Sequence, residues 1–454
     1  MAHSSRNRSR RHTELEPLPG APPAPIYRRV PWVAVAITLV VLITAAFAAP
    51  PIRDAVSLGT VTEAHFDLSA GYIAIAPLSN ILDTLTLLGA RQHIAVLVSL
   101  AVLYATLRVW RVRRAKAADT TLPTASRLVR EIGYAALFLG AIIVVYAAAM
   151  LLPRPMAAIV SDPSDVIIVV DFHAHTRYSH DGRPGWEPAD VRAWHRAAGF
   201  DAVYISDHRT VQGAELGIAD NPREAGQGEM ILQALEAGWR AEHVNILGAN
   251  RFYKGLTGAD LRDVDEQSLG LASLLPKREP LVIETLPGHL DKIVSAKGPQ
   301  TAGVRAIEII DGSPRGLDET RLLRSRIVHL ADSLNIAMIA GSDNHGWGRA
   351  APGWTLLIVP GWRGMGTDSL AYAIEQSLRS GHEATRVVER RIPGELDGAN
   401  AFEVVLTLPI VVWGMFTAMS LDERVMWIIW AWVIALAWRL TRNWWRRQQL
   451  RRVA

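Results

Sequence analysis

The chain has 454 residues, a formal net charge of only +4, one half apolar residues and one fifth charged residues, a mixture that fits lipid-facing and water-facing parts better than one uniform globular domain. It contains no cysteine, which excludes disulfides and thiolate metal ligands, so any metal must be bound by His, Asp and Glu. Arginine is concentrated at the two ends and in one internal loop, a distribution that indicates membrane topology and argues against nucleic-acid binding.

The N-terminal third of the chain predicts a basic tail followed by a membrane region. Arginine and proline dominate residues 1–29, which cannot build a core, so we expect a disordered cytoplasmic tail. Residues 30–153 contain apolar stretches of the length that crosses a bilayer as a helix. About three transmembrane helices are predicted there, from the apolar runs 30–49, 93–107 and 134–152.

Two further segments refine this membrane region. The segment 72–88 is apolar but contains Pro77, Asn80 and Asp83, so we expect an interfacial or re-entrant piece and not a full span. The loop 108–130 is rich in arginine, and short loops of this kind stay in the cytoplasm. With this loop and the N-terminal tail inside, the third span delivers the following domain to the outer side of the cell membrane.

A domain of α/β character is predicted over residues 160–392. It opens with the β-branched run 166–170, which lacks two-residue alternation, as a strand buried on both faces does. This succession of strands and helices predicts a parallel sheet or a barrel. We expect a helix at 188–198 and further buried strands at 202–206, 281–283, 306–310 and 337–339.

Two apolar runs, 404–418 and 425–440, predict a two-helix membrane hairpin over residues 402–441, followed by a basic tail at 442–454. If both runs cross the bilayer, this arginine-rich tail lies outside, against the rule that places such segments in the cytoplasm. Either one of the two runs lies in the interface, or the preceding domain forces the hairpin.

Clusters of His and Asp follow three of the predicted strands. The first contains His173-Ala174-His175, and because residues two apart in an extended chain face the same way, both imidazoles can bind one cation. In parallel α/β folds the carboxyl ends of the strands meet at one site, so the clusters should converge. The others are Tyr178-Ser179-His180-Asp181-Gly182, Ser206-Asp207-His208 and Gly341-Ser342-Asp343-Asn344-His345.

Taken together, these motifs resemble those of the polymerase and histidinol phosphatase (PHP) superfamily, closest to its carbaryl-hydrolase-like metallohydrolases. The resemblance covers about half of the chain and implies a distorted (βα)7 TIM-like barrel flanked by transmembrane α-helices. Glu236 best matches the family's metal-bridging Glu, and His243 matches a following His. Where many members have His-Pro, this chain reads Glu284-Thr285-Leu286-Pro287-Gly288-His289, so a second ion is either weakly held or recruits His289 or Glu284.

The resemblance also implies a metal-dependent mechanism. Imidazole and carboxylate donors suit two or three divalent ions of Mn²⁺, Zn²⁺ or Fe²⁺, which activate water for attack on an ester. Asp207 is expected to orient His208 or to assist proton transfer. Arg183 and Arg209 are candidates for binding a substrate anion, although surface arginines more often lack such a role. The implied ligand sets are His173, His175, Glu236 and Asp343 for one ion, Glu236 and His243 for a second, and His208, His345 and either His180 or Asp181 for a third.

These features predict a membrane-anchored phosphoesterase that acts on a small, anionic ester and has the lipid bilayer as its other partner. A hydrolase of carboxylic or carbamate esters or amides is the alternative, because the same activated water would serve it. A PHP domain that binds a ligand without turnover is a third hypothesis, favoured only by the missing middle His. Nucleic acid is not an expected partner, since the domain lacks a basic stretch interleaved with aromatic residues. No protein partner is predicted.

Overall fold

The computed structural model describes residues 30–116, 124–161, 164–239, 242–248, 281–285, 304–390 and 400–453. These residues divide into two compact units, one of residues 30–39 with 428–453 and one of residues 40–427. The first unit consists of parts of two helices. The second unit contains all the strands and every residue of the candidate site that the structure describes.

The described residues form eleven helices, which we number in chain order. They are α1 (Trp32–Ala45), α2 (Ala70–Ala74), α3 (Ala76–Thr86), α4 (Ala90–Lys116), α5 (Thr124–Leu151), α6 (Pro188–Ala198), α7 (Gln212–Ala219), α8 (Arg321–Ser333), α9 (Thr367–Arg379), α10 (Ala401–Thr417) and α11 (Leu421–Val453). Short 3-10 turns occur at Ala225–Gln227, Gly316–Asp318, Trp362–Gly364 and His382–Ala384.

Twelve strands occur in the same part of the chain. They are β1 (Ile52–Asp54), β2 (Ala64–Leu68), β3 (Ala157–Ser161), β4 (Ile167–Ala174), β5 (Ala202–Ile205), β6 (Met230–Trp239), β7 (Glu242–Leu247), β8 (Leu281–Thr285), β9 (Val304–Asp311), β10 (Ala337–Gly341), β11 (Gly353–Ile358) and β12 (Thr385–Arg390). All five strands predicted from the sequence are confirmed, as β4, β5, β8, β9 and β10.

Ten of these strands form one curled sheet in the order β1-β12-β11-β4-β5-β6-β7-β8-β9-β10, while β2 pairs with β3. The expected α/β class is confirmed, and the sheet has the shape of a half-barrel. The end strand β10 approaches β11, the third strand from the other end, and the backbone N–H of Ala340 on β10 donates to Oγ1 of Thr355 on β11 at 2.8 Å. The seven-fold βα barrel itself stays a prediction.

The sheet is mixed, whereas the sequence pattern predicted parallel strands. The pairs β4-β5, β5-β6, β8-β9 and β9-β10 are parallel, and the remaining pairs are antiparallel. The reason is clear at β6 and β7: β6 ends at Trp239 and β7 begins at Glu242. So short a link allows a hairpin but not the crossover that a parallel pair requires.

Helix α6 shows how local sequence fixes an element of the domain. Pro188 occupies its first turn, and Glu187 and Asp190 form a capping box that satisfies free N–H groups. The helix ends at Gly199, whose φ of 87° lies in the left-handed region. The predicted helix 188–198 is thus confirmed. Its buried face, which includes Trp194, packs on the outer side of β4 and β5.

The edge strand β1 comes from a part of the chain that the sequence pattern assigns to the membrane region. Ile52 pairs with Arg390 of β12 and Asp54 with Val388. The side chain of Arg53 also forms an ion pair with Glu389. A segment that precedes the long apolar helices therefore completes the sheet of the domain, which the sequence analysis did not predict.

Within the described residues, three helices are long and apolar enough to cross a membrane, over Ala90–Arg114, Leu128–Leu151 and Leu421–Trp445. The apolar run 30–49 forms only the 14-residue helix α1, which ends before the Pro50-Pro51 pair because the residue before a proline disfavours the helical conformation. Helix α10 has 17 residues and contains Pro409. Segment 72–88 forms α2 and α3, with Asn80 and Asp83 buried.

Helices α4 and α5 form an antiparallel hairpin. At one end, Nδ1 of His93 lies 3.1 Å from the hydroxyl oxygen of Tyr146. Farther along, the rings of Tyr104 and Phe138 stack with centroids 4.5 Å apart. The start of α4 and the end of α5 therefore lie at the same end of the hairpin. The arginine-rich segment 108–130, which was predicted as a loop, is helical over 108–116 and 124–130. It lies at the opposite end of the hairpin, where Arg108 pairs with Glu131.

Candidate metal centre

The end of β4 positions the first two imidazoles of the candidate site. Asp171, on this strand, accepts hydrogen bonds from the backbone N–H groups of His173 and Ser342 at 3.1 and 3.0 Å. Its second oxygen lies 2.7 Å from Nε2 of the buried His195. These contacts join the ends of β4 and β10 and leave His173 and His175 directed into the site. His195 thus holds Asp171 in place.

Glu236 on β6 is the centre of the site. One carboxylate oxygen lies 3.0, 3.1 and 3.3 Å from the Nε2 atoms of His173, His175 and His208. The other oxygen lies 2.8 Å from Nδ1 of His243. A single buried carboxylate thus contacts four imidazoles that come from β4, β7 and the loop after β5. Glu236 is thus placed where a carboxylate shared by two cations would lie.

Asp343, after β10, forms the second acidic point of the site. Its Oδ1 lies 3.3 and 3.2 Å from Nε2 of His173 and His175 and 3.4 Å from Nδ1 of His345. Its backbone has a φ of 44°, in the left-handed region that non-glycine residues rarely adopt. Such strain is found where a side chain must be held in a particular place.

A third set of donors lies at the mouth of the site. Oδ2 of Asp181 is 3.1 Å from Nε2 of His345 and 3.5 Å from Nε2 of His208. The side chains of His180 and His243 are each 56% exposed, whereas His173 and His175 are buried. The site is therefore closed at β4 and open toward His180, Asp181 and His243.

The structure brings all nine predicted metal ligands together. Each belongs to at least one group of three residues whose donor atoms lie within 4.8 Å of one another. Their role as ligands stays a prediction. The four groups are His173, His175 and Glu236; His175, Asp343 and His345; His180, Asp181 and His208; and His208, Glu236 and His243.

The sequence analysis missed two acidic residues of this region. A fifth group consists of His173, Glu308 and Asp311, and Oε1 of Glu308 lies 3.0 Å from Nδ1 of His173. The available signal was a charged residue within the apolar strand Ala306-Ile307-Glu308-Ile309-Ile310, because carboxylates are seldom buried without a partner. Glu308 touches the ring nitrogen of His173 that faces away from Glu236.

Glu284 and His289 were predicted as possible replacements for the missing middle His. Glu284 lies on β8 and is buried, but among the described residues it belongs to none of the groups. His289 lies outside the described residues. Among the described residues, the donors around Glu236 are the candidates for holding a second ion.

Asp207 has a different set of contacts from the expected one. Its two carboxylate oxygens accept hydrogen bonds from the backbone N–H and the hydroxyl of Thr176, both at 2.6 Å. The backbone N–H of His208 donates instead to Oγ of Ser179 at 3.3 Å. Asp207 therefore fastens the loop after β4 through Thr176. Its predicted role in orienting His208 or assisting proton transfer stays a prediction.

The two candidate anion-binding arginines lie beside the ligand motifs. The guanidinium of Arg183 lies 4.8 Å from the ring centroid of Trp186 and 5.7 Å from that of Trp347. Arg209 directly follows His208 and has a φ of 61°. Arg183 is thus held against two aromatic rings by cation–π contacts. Substrate binding by either arginine stays a prediction.

The electrostatics of the site favour bound cations. Burial disfavours a charged His175, but the carboxylates of Asp343 and Glu236 outweigh it and raise the pKa of His175 to about 10. Burial opposes ionisation of Glu236 too, yet the charge of His173 holds its pKa well below the usual value. Burial raises the pKa of Glu308 to about 8. Protons thus occupy positions that a metal ion would take over.

The donors fit divalent metal ions. All are imidazole nitrogens and carboxylate oxygens, which suit borderline and hard cations. Nε2 of the buried His175 lies within 3.1–3.2 Å of two carboxylate oxygens, yet neither of its ring nitrogens makes a well-directed hydrogen bond among the described residues. Buried polar atoms without such bonds are costly, and an ion between the three donors would remove this cost.

No protein-family model matches the sequence, and no curated protein matches it. Several solved structures are similar. A two-domain protein from Bacteroides vulgatus with a predicted PHP-like metal-dependent phosphoesterase is 16% identical, with 50% of this chain and 66% of that one covered and a TM-score of 0.32. PsfC from Pseudomonas syringae is 16% identical over 55% and 96% of the chains, with a TM-score of 0.32. The lesion-specific endonuclease PfuEndoQ from Pyrococcus furiosus is 14% identical over 47% and 56%, with a TM-score of 0.31.

Proposed function

We propose that this protein is a membrane-anchored, metal-dependent hydrolase of the PHP type, and that phosphate esters are its substrates. The observation that carries this proposal is the position of Glu236, whose two buried oxygens contact four imidazoles. A carboxylate shared in this way is suited to bridge two cations. Paired metal ions of this kind are used for displacement at phosphorus.

The residues that would hold the ions follow from the groups described above. His173, His175, Asp343 and Glu236 would hold one ion, and Glu236, His208 and His243 would hold a second. Asp181 or His180 would hold a third together with His345. When bound, such ions supply positive charge that lowers the pKa of the attacking water and neutralises a phosphoryl oxygen. Mn²⁺, Zn²⁺ and Fe²⁺ all accept this donor set.

The chain's own residues prepare the site for this chemistry. Glu308 holds the ring of His173 through its Nδ1 atom, at 3.0 Å. Asp207 holds the loop after β4 through Thr176, which keeps His180 and Asp181 at the mouth. Arg183 and Arg209 bring positive charge next to that mouth and would orient an anionic ester.

A hydrolase of carboxylic or carbamate esters or amides is the second candidate. The observation that favours it is Trp347, which follows His345 by two residues and is 47% exposed. An exposed aromatic ring beside the donors could bind an apolar group of such a substrate.

The side of the membrane follows from the hairpin of α4 and α5. The arginine-rich loop lies at the end opposite the domain contacts of the hairpin, and loops of this kind stay in the cytoplasm. We therefore propose that the candidate metal centre is extracytoplasmic.

The test uses the full chain, purified in detergent. We expect at least two equivalents of bound metal and hydrolysis of p-nitrophenyl phosphate, both lost in the double variant His173→Ala, His175→Ala. The matched control is His329→Ala, which changes an exposed His on α8. Faster hydrolysis of p-nitrophenyl acetate than of the phosphate would select the second candidate. A protein that stays metal-free and inert after addition of Mn²⁺, Zn²⁺ and Fe²⁺ would show that the domain only binds ligands.

A further inference from the structure

Two loops that carry donors of the candidate metal centre also contact the ends of two apolar helices. One begins after Asp311, the last residue of β9, and the other follows β10 and contains Asp343 and His345. The helices are α4 and α5, which are long and apolar enough to cross a membrane. The position of the centre relative to a bilayer can therefore be derived from these contacts.

The loop after β10 lies against the end of α5. The backbone N–H of Gly348 donates to the carbonyl oxygen of Met150 at 3.0 Å. A Cβ atom at Gly348 would lie 3.0 Å from the side chain of Thr86, at the end of α3. Two residues separate Gly348 from His345, and this part of the chain spans at most about 11 Å. The backbone of His345 is thus close to the end of an apolar helix.

The loop after β9 lies against the start of α4. The backbone N–H of Ala90 donates to the carbonyl oxygen of Pro314 at 3.2 Å. The N–H of Arg91 donates to both carboxylate oxygens of Asp318, at 3.0 and 3.1 Å. Asp318 thus supplies an acceptor and a negative charge to the first turn of α4, where both are stabilising. Through these two loops, the carboxyl ends of β9 and β10, which carry donors of the candidate metal centre, are joined to the ends of α4 and α5.

The bodies of α4 and α5 present apolar side chains outward. Only 17% of the most apolar window of α4 and 6% of that of α5 is buried within the protein, and Ile94, Leu137 and Val144 are each more than half exposed. A bilayer around these side chains ends near Ala90 and Leu151. The polar layer beyond its hydrocarbon core is roughly 5–7 Å thick, which is comparable with the reach from Gly348 to His345.

The residues at this level have the chemistry of a membrane interface. Trp347 is 47% exposed, and aromatic rings of this type are enriched at the level of lipid head groups. Arg91 is exposed on the first turn of α4 and would attract anionic head groups. Both residues lie next to a loop that carries candidate ligands. The centre is therefore near the level where lipid phosphates lie.

We propose that the substrate is the phosphate ester of a membrane-embedded amphiphile, whose head group enters the metal centre while its apolar part stays in the bilayer. This inference rests on the proposed function and names its substrate class. In the reaction, the oxygen of a water molecule bonds to phosphorus and the bond from phosphorus to the amphiphile's oxygen breaks. The proton from water passes to the leaving oxygen, giving an alcohol and inorganic phosphate without any redox change.

The test compares one phosphate in two settings, with the full chain reconstituted in phosphatidylcholine vesicles and Mn²⁺ supplied. The probes are phosphatidic acid in the same bilayer and glycerol 3-phosphate in solution. We expect kcat/KM to be about 100-fold higher for phosphatidic acid, because confinement in the bilayer raises its effective concentration at the site. Its rate should also follow its mole fraction in the bilayer and not its bulk concentration.

The outcomes separate this inference from the proposed function. Equal rates for the two probes, or hydrolysis of glycerol 3-phosphate and p-nitrophenyl phosphate alone, would overturn the membrane substrate and leave the phosphoesterase standing. Inactivity toward every phosphate ester would overturn both. A photoactivatable phosphatidic acid provides a readout without turnover. It should crosslink to residues 86–91 and 345–350, and an excess of glycerol 3-phosphate should not prevent this.

A variant tests the contact between the site and α4. Asp318→Asn removes the charge at the start of that helix, and we expect about a tenfold loss of kcat/KM for phosphatidic acid with little change for p-nitrophenyl phosphate. The matched control is Asp368→Asn, which alters an exposed Asp in the first turn of α9 and should change neither rate. An equal loss on both substrates in Asp318→Asn would show that the contact serves only the fold, against the proposal.

Discussion

At the scale of single residues, Glu236 has the greatest influence on the candidate centre, because its two oxygens contact four imidazoles from three parts of the chain. We predict that Glu236→Gln loses most of the bound metal and lowers phosphoesterase activity by at least about 100-fold, since an amide cannot bridge two cations. Metal content by elemental analysis, together with turnover, measures both effects.

The control for this variant is Glu215→Gln, which changes an exposed Glu on α7 and should keep metal and activity. If Glu236→Gln retains its full metal content and loses only turnover, Glu236 acts in proton transfer and is not a bridge between ions.

Glu308 supports a second prediction, because it contacts the ring nitrogen of His173 that faces away from Glu236. A carboxylate in this position fixes the orientation of a ligating imidazole and increases its basicity. Glu308→Gln should weaken Mn²⁺ binding by about 10- to 100-fold while saturating metal restores most of the activity. Glu375→Gln, at a buried Glu of α9, is the matched control. Unchanged metal affinity in Glu308→Gln would rule out this role.

Asp201 supports a prediction about pH. Its Oδ2 accepts a hydrogen bond from the N–H of Val169 at 2.9 Å, but burial dominates and raises its pKa from 3.8 to about 6. Because the folded state binds this proton more tightly than the unfolded state, the stabilisation is complete below about pH 4 and is lost as the pH rises through about 6.

The variant Asp201→Asn removes this titration and keeps an acceptor for Val169. We expect its free energy of unfolding to exceed that of the wild type by up to about 3 kcal/mol near pH 8, and the difference to shrink near pH 5. Thermal unfolding at both pH values measures it. A difference that does not depend on pH would show that Asp201 keeps its ordinary pKa in the folded protein.

At the scale of elements, the end of α6 depends on Gly199. A Cβ atom there would lie 2.1 Å from the carbonyl oxygen of Ile159 on β3, and the residue also has a φ of 87°. Gly361 has a similar φ of 74°, but a Cβ atom at that position would meet no described atom within 4 Å. We predict that Gly361→Ala costs about 1–2 kcal/mol from backbone strain alone and that Gly199→Ala costs at least twice as much.

The thermal midpoints of the two variants in detergent test this comparison, and each is the control for the other. Equal shifts would mean that β3 moves away from α6 at no cost, so that the close approach does not hold the two elements together.

The sequence pattern predicted the strands and α6 well, because the β-branched runs and the caps of these elements are local signals. It did not predict how the strands pair. The hairpin of β6 and β7 depends on a link that is too short for a crossover, and β1 has only three residues, too few to show any periodicity. Pairing depends on contacts between distant segments, which a local pattern does not contain.

The candidate site was predictable where its residues form local sequence motifs, and not where it depends on contacts between distant segments. Seven of the nine predicted ligands lie in short contiguous His and Asp motifs, whereas Glu236 and His243 were named only from the family resemblance. Glu308 lies 135 residues from His173 and its neighbours are apolar, so only the fold reveals their contact. The contacts of Asp207 with Thr176 likewise depend on how two loops meet.

At the scale of the whole molecule, the proposed orientation can be tested because the chain has no cysteine. Glu215→Cys places a thiol on an exposed position of the domain, and Arg113→Cys places one near the end of α4 at the arginine-rich loop. In intact cells, we expect a membrane-impermeant maleimide to label Glu215→Cys, and to label Arg113→Cys only after permeabilisation. The unaltered chain is the control. The reverse pattern would place the candidate metal centre in the cytoplasm.

The position of β1 at the edge of the sheet also determines the order of events during synthesis. Arg53 and its partner Glu389 are 336 residues apart. At about 5–20 residues per second, the ribosome needs roughly 17–67 s to make the chain between them. Helices α4 and α5 emerge within that interval, so they can enter the membrane long before β12 exists. In the proposed membrane-anchored protein, the last strand pairing therefore closes on a chain whose helices α4 and α5 are already in the bilayer.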